Sequence, residues 1–363
     1  MKYYVQVIAR NYLKKLPTQT ETFNVHSMYL QGLTEDEFKN GYTALIEFLR
    51  DLYTDIVNNP VDFGMPLIEI PEGERPNSNC TKSHVALASI PRLLLAIGNA
   101  GTLETDMIIY LNGWELMKMA KQLQISNVAA LLKLFADYGF EITGVSKKIS
   151  DTDEIRIGYP DCRTLTAALK SICEAQNKIG EIWYKGVEYF YMMMPQLIES
   201  ETPKIKFGVT DMFHFLSDDS HEIAKILHDF AMNHSRCKVL TNFSGGNSHN
   251  IWSCIYTGKK TKKKIMMLKT RDDSLSAKLY LENINRYTDE IMQMPEHIRK
   301  QLCNPPCNRA QWCLSRCVGG FEFEMEGIAY KICRVDGFWF RNLPTGDLPY
   351  VTKLLALEMK REE

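Results

Sequence analysis

The sequence predicts an α+β protein with a helical N-terminal half and an antiparallel-sheet domain that ends in a cysteine-rich module. Three observations carry this. Apolar residues recur at helical spacing, between cap signals, through much of residues 34–176. Alternating segments follow between 237 and 281. Five of the ten cysteines then fall between 303 and 333. At 363 residues the chain exceeds the usual size of one hydrophobic core. We divide it into an N-terminal helical region with a Pro-rich connector (1–83), a helix-and-hairpin domain (84–200), an α+β domain (201–302) and a Cys-rich hairpin module with a C-terminal helix (303–363).

Composition excludes some classes. With 45% hydrophobic residues, 24% charged residues and a formal net charge of −1, the chain has neither a global basic excess for nucleic acid nor an acidic excess for disorder. The apolar run near Met1 is short and is followed by Lys14 and Lys15, which is not the form of a signal peptide. No apolar run reaches membrane-spanning length. The expectation is a cytoplasmic protein without a membrane partner, in which thiols stay reduced and clustered cysteines favour metal over disulfide.

Residues 1–33 read as a mixed opening. Thr34 and Glu37 form a capping box, and the helix that follows carries Leu45, Phe48, Leu49, Leu52, Ile56 and Val57 before ending near Pro60. Residues 60–82, with four prolines and two glycines, form an extended connector. In the apolar segment from His84 to Ile97, Pro91 predicts a short turn and then a helix that starts near the proline.

Asn112 is placed to cap a helix through Leu123. A break at Gln124–Ser126 leads to a second helix, 127–138, with Gly139 at the left-handed position after its end. Segments 140–145 and 154–159 alternate like two strands. Helix, turn, helix and hairpin in this order, with small Ala120 at the helix contact and Ile125 directed into the core, resembles a winged-helix (helix-turn-helix) domain over about residues 104–160. Gln124 stands where that family usually has glycine. The resemblance implies a recognition helix starting at Asn127, with Asn127 and Lys133 as its base-contacting side chains. Residues 104–156, however, hold six basic and eight acidic residues, which disfavours DNA.

A helix over residues 163–176 follows. The Met- and aromatic-rich segment from Ile182 to Ile198 reads as core. In the C-terminal half, Asp219 or Ser220 caps a helix from His221 to Met232. Strands are expected at 237–243, 251–257, 264–270 and 275–281, then a helix from Tyr287 to Leu302, a hairpin turning at Glu326-Gly327, and a final helix from Leu348 to Met359.

Cys303, Cys307, Cys313 and Cys317 are the candidate metal ligands, with Cys333 in reserve. Cys313 and Cys317 are four apart, so a short helix puts both sulfurs on one face. Four thiolates without histidine make a closed, structural zinc site, with an iron–sulfur cluster the lesser alternative. The run Lys259, Lys260, Lys262, Lys263 and Lys264 at a hairpin tip is a candidate surface for a nucleic-acid backbone or an acidic partner, or else a solvated turn. Asp218, Asp219, His221 and His228 could serve as a metal or acid–base group. The Gly-rich stretch 244–249 lies between strands, outside any phosphate-loop context. No metalloprotease, hydrolase or kinase motif occurs. The expected function is a non-enzymatic regulator or adaptor that binds a protein or small ligand. The alternatives are a DNA-binding transcriptional regulator and a thiol-dependent enzyme or redox sensor.

Overall fold

Tyr4, Val5, Ile8, Ala9 and Tyr12 repeat at helical spacing, and in the computed structural model they form the buried face of a first helix, α1 (Tyr4–Lys15). The opening is therefore helical, a pattern short enough to be passed over as mixed. The structure describes residues 3–17, 23–69, 78–179, 194–202, 207–214, 216–235, 237–245, 250–271, 274–303, 320–333, 337–341 and 343–359. Much of the Met- and aromatic-rich segment lies outside them. The chain divides into two compact units, residues 1–206 with 244–250, and residues 207–243 with 251–363. Among the described residues, no helix is long and apolar enough to cross a membrane.

In the first unit α2 (Glu35–Asn58) is the central element. Thr34 accepts from the Glu37 amide while the Glu37 carboxylate accepts from the Thr34 amide, as the capping box predicts. Its apolar face packs on α1 and on α6 (Leu165–Ile179). The approach to α6 is close because residue 41 is glycine: a Cβ there would lie 2.2 Å from the Thr164 carbonyl oxygen. Of the connector, residues 60–64 turn rather than extend, and 70–77 lie outside the described residues. Residues 65–69 run beside the start of α1, where Tyr3 bridges to Glu69 and the Tyr4 amide donates to the Ile68 carbonyl. Next comes α3 (Thr81–Ala100), and here the expectation fails: the helix runs unbroken through Pro91. Every residue from Leu87 to Gly98 is buried, so packing on all sides outweighs the hydrogen bond that proline removes.

After α3 come β1 (Thr102–Leu103), β2 (Ile109–Leu111), α4 (Gly113–Gln122), α5 (Val128–Asp137), β3 (Glu141–Thr143) and β4 (Ile155–Gly158). The strands form an antiparallel sheet in the order β1-β2-β4-β3, so the strand before the two helices pairs with the last strand of the hairpin after them. Ile157 lies opposite both Ile109 and Ile142.

The second unit begins with α7 (Val209–Phe213) and α8 (Asp218–Ser235). Neither Asp219 nor Ser220 caps α8. Ser217 does, accepting from the Ser220 and His221 amides through its hydroxyl and carbonyl oxygens, and the aspartates occupy the first turn. Then follow β5 (Cys237–Gly245), β6 (Asn250–Gly258), β7 (Lys264–Arg271) and β8 (Ser274–Leu279), close to expectation. The helix predicted over 287–302 is two helices, α9 (Thr288–Met292) and α10 (Glu296–Leu302). Pro295 between them lacks an N–H and keeps its predecessor out of helical conformation. The hairpin β9 (Gly320–Met325) and β10 (Ile328–Cys333) turns at Glu326 and Gly327, both at positive φ. A further strand, β11 (Phe338–Arg341), was not expected; it pairs with β8 and completes a five-stranded antiparallel sheet, order β11-β8-β7-β6-β5. Helix α11 (Leu348–Met359) closes the unit.

Candidate functional site

The helix–turn–helix–hairpin segment is built by local signals. The Asn112 side chain accepts from the Trp114 and Glu115 amides and donates to the Asp153 carbonyl, so one residue starts α4 and ties it to the hairpin. The turn after α4 is closed by the Ile125 amide donating to the Ala120 carbonyl. Gln124 sits at φ 56°, the left-handed conformation glycine favours, so this chain makes the turn with a strained glutamine. Ala120 is buried at the helix contact as expected, whereas Ile125 is only half-buried and Leu123 is the apolar anchor of the turn.

Helix α5 buries Val128, Leu131, Leu132 and Phe135. Phe135 packs against Phe48 and Phe140, and the Tyr138 hydroxyl donates to Asp55 at 2.6 Å, which fixes α5 on α2. The outward face is Ala129, Ala130, Lys133, Ala136 and Asp137. Asn127 sits at φ 62° before the first turn and makes no side-chain cap. Asn127 and Lys133 line one groove of about 650 Å³ beside α5, together with Ala130, Met65, Val85 and Lys82.

The charges of this segment are largely spent on each other. Lys133 pairs with Asp137 at 2.8 Å, Lys148 with Asp151 at 2.9 Å and Arg156 with Glu154 at 2.7 Å, while Lys118 lies 3.9 Å from Glu115. The Lys148 ammonium beside Asp151 holds its carboxyl below the usual range. Trp114 is 55% exposed on α4, with the Lys118 ammonium 4.8 Å from its ring centroid. The sequence reading did not single it out, since a tryptophan in an apolar pattern reads as core.

Of the predicted metal ligands, Cys307, Cys313 and Cys317 lie outside the described residues. Cys303 follows α10 and is half-buried; burial pushes its thiol pKa up, and the Tyr330 hydroxyl is its hydrogen-bond partner. Cys333 ends β10 opposite Gly320, and strand alternation puts it on the other face of the hairpin from Tyr330. No group of three or more His, Cys, Asp or Glu placed to hold a metal occurs among the described residues. Asp218 and Asp219 are exposed in the first turn of α8. His221 and His228 both lie against the Phe213 ring, each with its ring centroid 5.8 Å away, and His228 also bonds the Tyr256 hydroxyl at 2.9 Å. Residues 246–249 of the Gly-rich stretch lie outside the described residues. Of the cysteines buried in the two units, burial raises the thiol pKa of Cys254 to about 11 and that of Cys173 higher still, which keeps both protonated at neutral pH.

Lys259, Lys260, Lys262 and Lys263 occupy the turn between β6 and β7 and Lys264 opens β7; all five are exposed, with Lys262 at φ 59°. Lys263 reaches Glu282 at 3.3 Å. Lys259, Lys260 and Lys262 have no carboxylate partner among the described residues.

The chain matches no family model, and neither a curated protein nor a solved structure is significantly similar to it.

Proposed function

We propose that the chain is a non-enzymatic adaptor whose residues from about 104 to 160 are a winged-helix module turned to protein binding. The element order and the pairing of β2 with β4 support the winged-helix reading. The observation that carries the choice of partner is the surface of α5. A helix that reads DNA offers cations and hydrogen-bonding side chains to the duplex. Helix α5 offers three exposed alanines and a lysine already paired within the same helix. Small side chains let another backbone approach closely, and the adjoining groove, with Met65, Val85 and Ala130 in its walls, adds apolar area to such a contact. Photocrosslinking from a photoreactive residue at Ala129 tests this: a protein partner is expected, and its capture is expected to fail when Ala136 is replaced by arginine.

We also propose that Cys303, Cys307, Cys313 and Cys317 hold one structural zinc, with Cys333 as an alternative ligand. The support is their clustering and the i, i+4 spacing of Cys313 and Cys317 in the sequence. Zinc here stabilises the C-terminal module and takes no part in a reaction.

A further inference from the structure

The five-stranded sheet of the second unit has two unlike faces, and the strand register defines them. One face is core. The row Cys254, Leu268, Ala277 and Phe340 runs across four strands, the next row is Tyr256, Met266, Leu279 and Phe338, and every one of these side chains is buried. Helix α8 lies on this side, since its His228 bonds to Tyr256.

The opposite face alternates with it. One row is Ser253, Lys269, Ser276 and Arg341, and the next is Ile255, Met267, Lys278 and Trp339. Apart from Lys278 these side chains are half-exposed or exposed. Thr241 of the edge strand β5 contacts Cys254 on the core side, so alternation assigns Lys238, Leu240 and Asn242 to the open side, and all three are exposed. Leu240 is 60% exposed.

Charge on this face has one sign. No Asp or Glu occurs in any of the five strands. Lys238, Lys269 and Arg341 have no carboxylate partner among the described residues. The lysine turn 259–264 stands at the end of the same sheet. Rings and cations alternate between the two: Lys278 lies 5.7 Å from the Trp339 ring centroid and 4.9 Å from that of Tyr280, and Lys264 lies 5.9 Å from the Tyr280 centroid. Around α4 and α5, by contrast, four of the six cations between residues 104 and 156 are paired with a nearby carboxylate.

We propose that this open sheet face and its lysine turn bind a single-stranded nucleic acid. The cations meet the phosphate backbone, and the half-exposed Trp339 and Tyr280 rings offer faces on which bases stack. A duplex keeps its base faces inside its own stack, so it gains only the phosphate contacts. An anionic membrane would also meet the lysines and seat the rings at its headgroups, so vesicles serve as the competing outcome.

The test uses the full chain and fluorescence anisotropy of labelled oligo(dT) and oligo(U) of about 20 nucleotides, a duplex of equal length, heparin as competitor and vesicles rich in phosphatidylserine. The expected result is salt-sensitive binding of the single strands, about tenfold tighter than the duplex, with little binding to vesicles. Replacing Lys259, Lys260 and Lys262 with glutamate on the exposed turn is expected to weaken all polyanions about tenfold without shifting the melting temperature. Trp339→Leu should weaken the single strands alone, and Trp339→Tyr should restore them. No binding of single strands at low salt overturns the proposal. So does equal binding of single strand, duplex and heparin that ignores Trp339, or stronger binding to the vesicles than to the oligonucleotides. Trp339→Tyr guards against mere unfolding, and the turn variants stay informative whatever Trp339 does to stability.

Discussion

His228 and Glu358 show how single polar residues set the behaviour of the second unit. Burial holds the His228 pKa below the ordinary imidazole value, with the Asp229 charge opposing it, and its ring bonds the buried Tyr256 hydroxyl. A lowered folded-state pKa means that the unfolded chain binds the proton more readily. The stability it contributes is therefore present above the ordinary histidine pKa and lost as pH falls through the folded value. Melting temperatures followed from about pH 7.5 to about pH 5 should fall less for His228→Gln than for the unaltered protein. Equal slopes for the two would contradict the assignment. Glu358 is 4% exposed, and its carboxylate accepts from the Asn283 amide, the Asn283 side chain and the Tyr287 hydroxyl. Glu358→Ala leaves these donors without their acceptor and should cost about 2–4 kcal/mol in urea unfolding. A loss under about 1 kcal/mol would show that water or a shifted side chain replaces the carboxylate. Neither network was legible in the sequence. Glu358 lies 75 residues from Asn283, and nothing local marks a glutamate near the end of a helix as buried.

At the scale of elements, legibility followed how local the signal was. The capping box at Thr34, the cap at Asn112, the turn at Glu326-Gly327 and the bounds of α11 depend on neighbours within a few residues, and the structure has them as expected. The failures were decided at a distance. Pro91 reads as a helix start, yet α3 is buried all round and carries on through it. Phe338–Arg341 is only four residues long, and its strand character comes from pairing with β8. Gln124 lies between these cases: the turn was expected, but only the backbone shows that glutamine adopts the left-handed conformation. The cysteine module is the element that chemistry should reveal most simply. Metal analysis of the purified protein should find about one zinc per chain, and chelation should lower its unfolding midpoint. Less than about half an equivalent of zinc or iron, with no effect of chelator, would remove the proposed site.

For the whole molecule, the two units differ in how they treat charge. Around α4 and α5 most cations are paired with nearby carboxylates, and α5 itself is faced with alanine. In the second unit the strands of the large sheet have no acidic residue, and the lysine turn projects from its end. Segment sums made the first contrast legible, because ion pairs there are mostly three or four residues apart on one helix or within one turn. The second needed the register, since Lys269, Arg341, Lys278 and Trp339 share a face only once β11 is paired with β8. An adaptor that joins a protein to a nucleic-acid strand follows from assigning one surface to each unit. The most direct measurement of the central claim is photocrosslinking in cells from a photoreactive residue at Ala129 of the full chain, with the same residue at Lys260 as control. The account predicts one protein captured from Ala129 and absent from Lys260, with capture lost in Ala136→Arg. Crosslinks from Ala129 chiefly to nucleic acid, or the same captures from both positions, would contradict it.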